Sequence, residues 1–256
     1  MQILTEAIVL ILIGGAVGTL SGLLGIGGGL VIVPVLTYVL IHFHHVAFEE
    51  AILMSIGTSL ASIIFTAGMS SFFHTKRNNM NWSISGYYIP GVLLGSSTMS
   101  FIIPHLHISI IKHAFVIYTF LAAYEILKTP KIKSTVALPS VPLANIYGFI
   151  IASISTIIGI GGRTMFVPYF VYHKINPRLA VALSSSLGAF IGIGASIGFV
   201  SNGMRIDHLP SFSFGYIYLP GLLLMTSSSL IFAKLATTWI HQISITSLKK
   251  LTIYYL

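Results

Sequence analysis

Apolar residues run along this chain in long blocks, and polar or proline-containing breaks cut them into ten runs. The first five lie at 7 to 24, 29 to 41, 47 to 73, 84 to 103 and 109 to 127. After them comes a polar linker at 128–140, marked by Lys128, Lys131 and Lys133 with Pro130, Pro139 and the adjoining Pro142. Five more runs follow at 143 to 160, 163 to 172, 179 to 201, 212 to 235 and 246 to 256. Gly and Pro punctuate local structure, and a polar, Pro-bearing stretch between two sets of five runs reads as a connection between halves. The pattern predicts ten helical segments in two pseudo-repeats, 1–127 and 141–256, within a single integral membrane domain.

Direct comparison of the halves supports a duplication. Gly22-Leu-Leu-Gly25-Ile-Gly27-Gly28-Gly29 with Pro34 matches Thr156-Ile-Ile-Gly159-Ile-Gly161-Gly162-Arg163 with Pro168. Gly25, Gly27, Gly28, Val33 and Pro34 recur identically 134 residues later (159 − 25 = 134). Further along, Gly57-Thr58-Ser59-Leu60 faces Ser184-Ser185-Ser186-Leu187, and Tyr88-Ile89-Pro90-Gly91 faces Tyr218-Leu219-Pro220-Gly221. The order of the three pairs is kept, a signature of transporters built from internal repeats.

The second run of each half is short. About 13 residues rise about 20 Å as a helix, against a hydrocarbon core of about 30 Å. The glycine-rich break before it is therefore expected at membrane depth, with runs one and two forming a re-entrant hairpin or a pair of abutting short helices. Either way each half crosses an odd number of times, which inverts the second half relative to the first. Loop charges agree. The stretches around Lys76 and Arg77, Lys128 to Lys133, Lys174 and Arg178, and Lys234 to Lys250 hold ten of the 13 basic residues and fall on one side in the inverted arrangement, as the positive-inside rule requires of the cytoplasmic face. Both termini come out external, and whether the last run completes its crossing is left open.

Composition makes the membrane unavoidable. Of 256 residues, 55% are hydrophobic and 7% charged, and mean hydropathy is +0.94. A soluble domain carries about a quarter charged residues, and 18 charges (13 + 5) cannot cover a water-facing surface of this size. The basic residues are scattered singly between apolar runs rather than clustered on a polar face, which excludes a nucleic-acid partner. The absence of cysteine excludes disulfides, thiolate metal sites and thiol catalysis. Met1 to Ala7 holds Glu6 and no base, so the first run is expected to stay in the mature protein.

The glycine breaks carry the candidate chemistry. Each glycine costs about 1 kcal/mol in a helix interior, and unpaired backbone in lipid costs several kcal/mol more, so such a break needs protein or water around it. An unwound glycine segment followed by a short helix presents free N–H groups and a helix N-terminus, a place for an anion. Close helix packing is the plain alternative, and Gly14, Gly18 and Gly22 at four-residue spacing fit it. Arg163 replaces the third glycine of the second break and has no acidic neighbour in sequence. A guanidinium at bilayer depth costs at least about 2.5 kcal/mol unless a counter-charge or water relieves it. Glu125 lies near the cytoplasmic end of its run beside Lys128, Glu49 and Glu50 lie at the external start of the third run, and Glu6 and Asp207 lie outside the runs, so an oxyanion substrate is left as the counter-ion. The alternative is that Arg163 snorkels to the cytoplasmic interface and binds nothing.

The paired glycine signature, its second copy and the Pro-Gly of the fourth run resemble the sulfite exporter TauE/SafE family of membrane permeases, over nearly the whole chain. The resemblance implies an all-α polytopic membrane protein of the cell inner membrane, a transporter of small sulfur-containing anions such as sulfite or an organosulfonate. With the repeats, it gives two inverted repeats of five hydrophobic segments each, glycine-broken helices at the centre and a cytoplasmic linker at 128–140.

The expected substrate-binding set is Gly25, Gly27, Gly28, Gly29, Gly159, Gly161, Gly162 and Arg163, with the hydroxyls of Thr58, Ser59, Ser185 and Ser186 from the third runs. Hydroxyls also bond their own helix backbone, the competing reading. His42, His44 and His45 share one external loop without a clear further ligand, so no metal is expected, and no cofactor is implied. A passive anion channel is the alternative function. A membrane enzyme lacks support, since no nucleophile–base or metal constellation occurs at membrane depth. If sulfite leaves as a dianion, a potential of about 100 mV, negative inside, favours exit by ~4.6 kcal/mol, and with no buried carboxylate in sight the sequence predicts potential-driven export without obligatory proton coupling.

Overall fold

A chain this apolar must satisfy its backbone polar groups internally, and helices do so within one segment. The computed structural model describes residues 2–24, 28–127 and 137–240, with side chains over 4–19, 28–124 and 137–235. Gly25 and Gly27, the linker at 128–136, the Glu125 side chain and the final run with Lys249 and Lys250 lie outside the described residues.

The first half contains α1 (Gln2–Leu24), α2 (Gly29–His44), α3 (Phe48–Lys76), α4 (Trp82–Gly86), α5 (Ile89–Ile102), a 3-10 turn (Ile103–His105) and α6 (Ile108–Leu127). The second contains α7 (Val141–Ile158), α8 (Arg163–Tyr172), α9 (Pro177–Gly203), a hairpin of β1 (Ser213–Phe214) and β2 (Ile217–Tyr218), and α10 (Leu219–Ile240). Among the described residues, α3, α7 and α9 are long and apolar enough to cross a membrane, and shorter apolar helical stretches occupy 4–19, 29–44, 108–124 and 219–235.

Two of the expected runs are divided. The run at 84 to 103 breaks into α4 and α5, where Pro90 opens the second helix in its first turn, the one place a helix loses nothing by lacking an N–H. The run at 212 to 235 begins as a two-stranded antiparallel hairpin, pairing Ser213 with Tyr218 and Phe214 with Ile217, before α10 starts beside Pro220. The second runs are short helices, as expected, and each carries its proline six residues beyond the preceding glycine, Pro34 after Gly28 and Pro168 after Gly162.

Helices of the two halves are interleaved. The long helices α3 and α9 pack against each other at the centre, α1 lies along α10, and α5 lies along α7 and α9. Small residues permit the approach. Side chains at Gly14 and Gly18 of α1 would collide with the carbonyls of Met225 and Ser229 on α10, and side chains at Gly91 and Gly95 of α5 with those of Asn145 and Phe149 on α7. Asn145 also accepts the Gly91 N–H through Oδ1 at 2.8 Å. The core between these layers is continuous, from Leu36 and Leu40 of α2 through Met54, Ile56 and Leu60 of α3 to Leu183, Leu187 and Phe199 of α9.

Candidate functional site at the glycine breaks

The second break, Gly159 to Gly162, is fully buried. Gly159 ends α7 with left-handed backbone (φ 78°), and its N–H and that of Ile160 turn back to the carbonyls of Thr156 and Ser155 at 3.3 and 3.0 Å. This left-handed glycine stop satisfies two carbonyls at the C-terminus of α7. Gly162 then opens α8, again left-handed (φ 66°), with no side-chain cap. The Gly162 carbonyl accepts the Met165 and Phe166 N–H groups at 3.0 and 2.8 Å, and no side chain caps the Arg163 and Thr164 N–H groups ahead of them.

The break lies against the middle of both long helices. Ser59 Oγ of α3 donates to the Gly159 carbonyl at 2.8 Å, Gly161 packs on Ile63, and Gly188 and Ile191 of α9 close on Gly161 and Gly162. From the first break, Gly29 abuts the Gly159 carbonyl and Ile160 so closely that a side chain there would collide with both. The two breaks are therefore in contact, with Gly28 supported by Val17 of α1.

Arg163 is the first residue of α8. Its Nη2 donates to Ser185 Oγ of α9 at 3.2 Å, and Ser185 in turn lies 3.1 Å from Ser70 Oγ of α3 and 2.8 Å from its own Val181 carbonyl. One turn beyond Ser70 on the same face of α3 is His74. The His74 Nδ1 and Ser71 Oγ atoms are buried with no hydrogen-bond partner among the described residues. Arg163 forms no ion pair among those residues either, where the two carboxylate pairs are Glu6 with His44 and Glu50 with His208. The guanidinium therefore reaches from the break toward the Lys76 end of α3.

The remaining hydroxyls serve the frame. Thr58 Oγ1 accepts the Tyr218 N–H at 2.9 Å, fixing the chain where the hairpin becomes α10. Ser186 Oγ lies 2.5 Å from Ser85 Oγ of α4 and 2.8 Å from the Leu183 carbonyl. Ser59 has given its single proton to Gly159. Of the four hydroxyls expected around an anion, Ser185 alone touches Arg163. Sequence reasoning missed Ser70 and His74. Their four-residue spacing on a run whose other face is apolar was the available signal.

It also missed Glu6. The apolar run beginning at Ala7 excludes Glu6, yet α1 begins at Gln2 and Glu6 is buried, 7% exposed. Partners 38 and 212 residues away in sequence, His44 and Tyr218, make that burial possible.

The family model of the sulfite exporter TauE/SafE matches residues 10–256. This chain belongs to the TauE/SafE family. Similar to this TauE/SafE protein are a probable membrane transporter protein of Haemophilus influenzae, 33% identical over 96% of this chain and 93% of its own length, and one of Methanocaldococcus jannaschii, 26% identical over 84% and 79%. No solved structure matches the chain significantly. It is a membrane transporter by family and by these relatives.

Proposed function

We propose that this TauE/SafE protein carries a small sulfur oxyanion, sulfite or an organosulfonate, through a site between two inverted repeats. The observation that carries this reading is the Arg163 guanidinium, set at the uncapped N-terminus of α8, bonded to Ser185 and paired with no carboxylate among the described residues. A planar fork of donors suits bidentate contact with a sulfonate or sulfite. Gly28, Gly29, Gly159, Gly161 and Gly162 supply close-approaching backbone, with Gly25 and Gly27 in the same signature. Ser185 and Ser70 orient the guanidinium, His74 and Ser71 offer further polar atoms, and Thr58, Ser59 and Ser186 hold the surrounding segments.

Reciprocal packing supports the repeat: the first helix of each half lies on the fourth-run helix of the other, and the third helices pack together. With the basic loops cytoplasmic, the protein sits in the inner membrane with both termini external, and the membrane potential favours export of an anion.

Flux into proteoliposomes against an anion panel tests the reading. Arg163→Ala is expected to weaken apparent anion affinity ~10–100-fold, the loss of a charge-assisted hydrogen bond worth about 1.5–3 kcal/mol. Arg163→Lys keeps the charge without the fork and should fall between. A correctly folded Arg163→Ala protein with unchanged affinity for every anion removes Arg163 from the site.

A further inference from the structure

At the opposite end of α1 and α2 from the first break, three side chains meet. Glu6 Oε1 accepts the Tyr218 hydroxyl at 2.5 Å and lies 2.9 Å from His44 Nε2, while Tyr218 Oη and His44 Nε2 are themselves 2.9 Å apart. The His44 ring stands edge-on to Tyr218, with centroids 5.2 Å apart. Glu6 belongs to α1, His44 to the last turn of α2 and Tyr218 to β2, so the triad joins both legs of one half's hairpin to the other half. Glu6 and Tyr218 are 7% and 2% exposed. A carboxylate drawn into an apolar bundle is costly and marks a functional site by default.

Buried Glu6 supplies the carboxylate whose absence from the runs led the sequence to predict uncoupled export, and we propose instead that Glu6, His44 and Tyr218 form a proton-binding site that couples proton to anion movement, an inference that rests on the transport reading above. With His44 neutral and Glu6 ionised, the triad carries one net negative charge. With one more proton on the His44–Glu6 pair it carries none. On this proposal an anion that passes along α1 and α2, the two helices that the triad fastens, meets repulsion in the first state only. Proton and anion therefore occupy the protein together and move in the same direction. A sulfite dianion accompanied by one proton still moves net negative charge outward, so the potential still favours its exit, whereas a monovalent sulfonate moves without net charge.

The surroundings leave the triad to act alone. On α2, His42 stacks on Tyr38 and His45 is exposed. At the start of α3, Glu49 is exposed and Glu50 pairs with His208 at 2.7 Å, on a histidine side chain 72% exposed, with Tyr216 nearby. α1 carries no other titratable side chain, and α10 carries none before Lys234. The matched tyrosine of the first half, Tyr88, bonds the Tyr169 hydroxyl at 3.2 Å with Tyr147 and His173 alongside and no carboxylate. The proton site is one-sided.

The test uses the full chain in proteoliposomes with radiolabelled methanesulfonate, which stays ionised at every pH used and so cannot carry the proton itself. Voltage is clamped at zero. Exchange at equal pH measures transport, and accumulation driven by a pH gradient measures coupling. Wild type is expected to exchange and to accumulate the anion on the alkaline side, up to ~tenfold per pH unit for one proton per anion. Glu6→Gln should keep exchange and lose accumulation. Glu50→Gln should keep both. If Glu6→Gln fails to insert, His44→Asn carries the same comparison. Wild type that exchanges but never follows the pH gradient overturns the proton site and leaves the transport reading standing, as does accumulation undiminished in Glu6→Gln or His44→Asn. No exchange of any anion overturns both.

Discussion

Two left-handed glycines, Gly159 and Gly162, frame a four-residue break, and the space around them is closed as well. A methyl at Gly162 would sit 2.7 Å from Ile191 Cδ1 and 3.1 Å from Ser155 Oγ, in a backbone conformation that L side chains rarely adopt. Gly162→Ala is therefore expected to cost about 1–3 kcal/mol through strain alone. Thermal unfolding in detergent should register it, while Gly68→Ala, in open space on α3, should change little. The residues flanking the break were legible because glycine repeats announce themselves, and Arg163 stood out by replacing one. The partners of Arg163 were not. Ser185 and Ser70 come from different helices, and no periodicity within one run says which faces of α3 and α9 meet. Glu6 was missed for a related reason, since local hydropathy counts a carboxylate as a boundary whereas His44 and Tyr218 make it an interior group.

At the scale of elements, four-residue glycine spacing sets where helices cross. Gly14 and Gly18 let α1 touch the backbone of α10, and Gly91 and Gly95 let α5 touch that of α7. Gly18→Leu should separate α1 from α10 and lower the yield of folded protein, measurable by size-exclusion chromatography. Gly86→Leu, where nothing lies within reach of a side chain, is the control. Most helix positions followed from the apolar runs, because long apolar blocks leave the backbone little choice. The division of the fourth runs did not, since the Ser, Gly and aromatic residues ahead of Pro90 and Pro220 carry no charge to separate them from the apolar helices that follow. What holds them out of the helix is tertiary: Ser85 to Ser186 on one side and the Tyr218 N–H to Thr58 on the other.

For the whole molecule, the proposed inversion places the loop at Lys76 and the loop at Glu49 on opposite faces of the membrane. Single cysteines introduced at Asn78 and Ala47 test this by impermeant labelling in intact cells, with only Ala47→Cys expected to react. Reaction of both from outside would sink the inversion. The proposed duplication rests on three short matches that keep their order along the chain, whereas the packing of α1 on α10 and of α5 on α7 was not readable, since sequence order does not say which helix another packs against. That packing has a consequence for synthesis. Helix α1 leaves the ribosome well before its main partner, α10, with more than 200 residues between Gly14 and Met225. At about 5–20 residues per second, α1 waits roughly 10–40 s with its glycine face unmatched. Contacts between residues so distant in sequence also slow folding. The molecule should therefore complete its α1 packing only after α10 has been made, and nascent chains stopped before α10 should be the ones that membrane proteases remove.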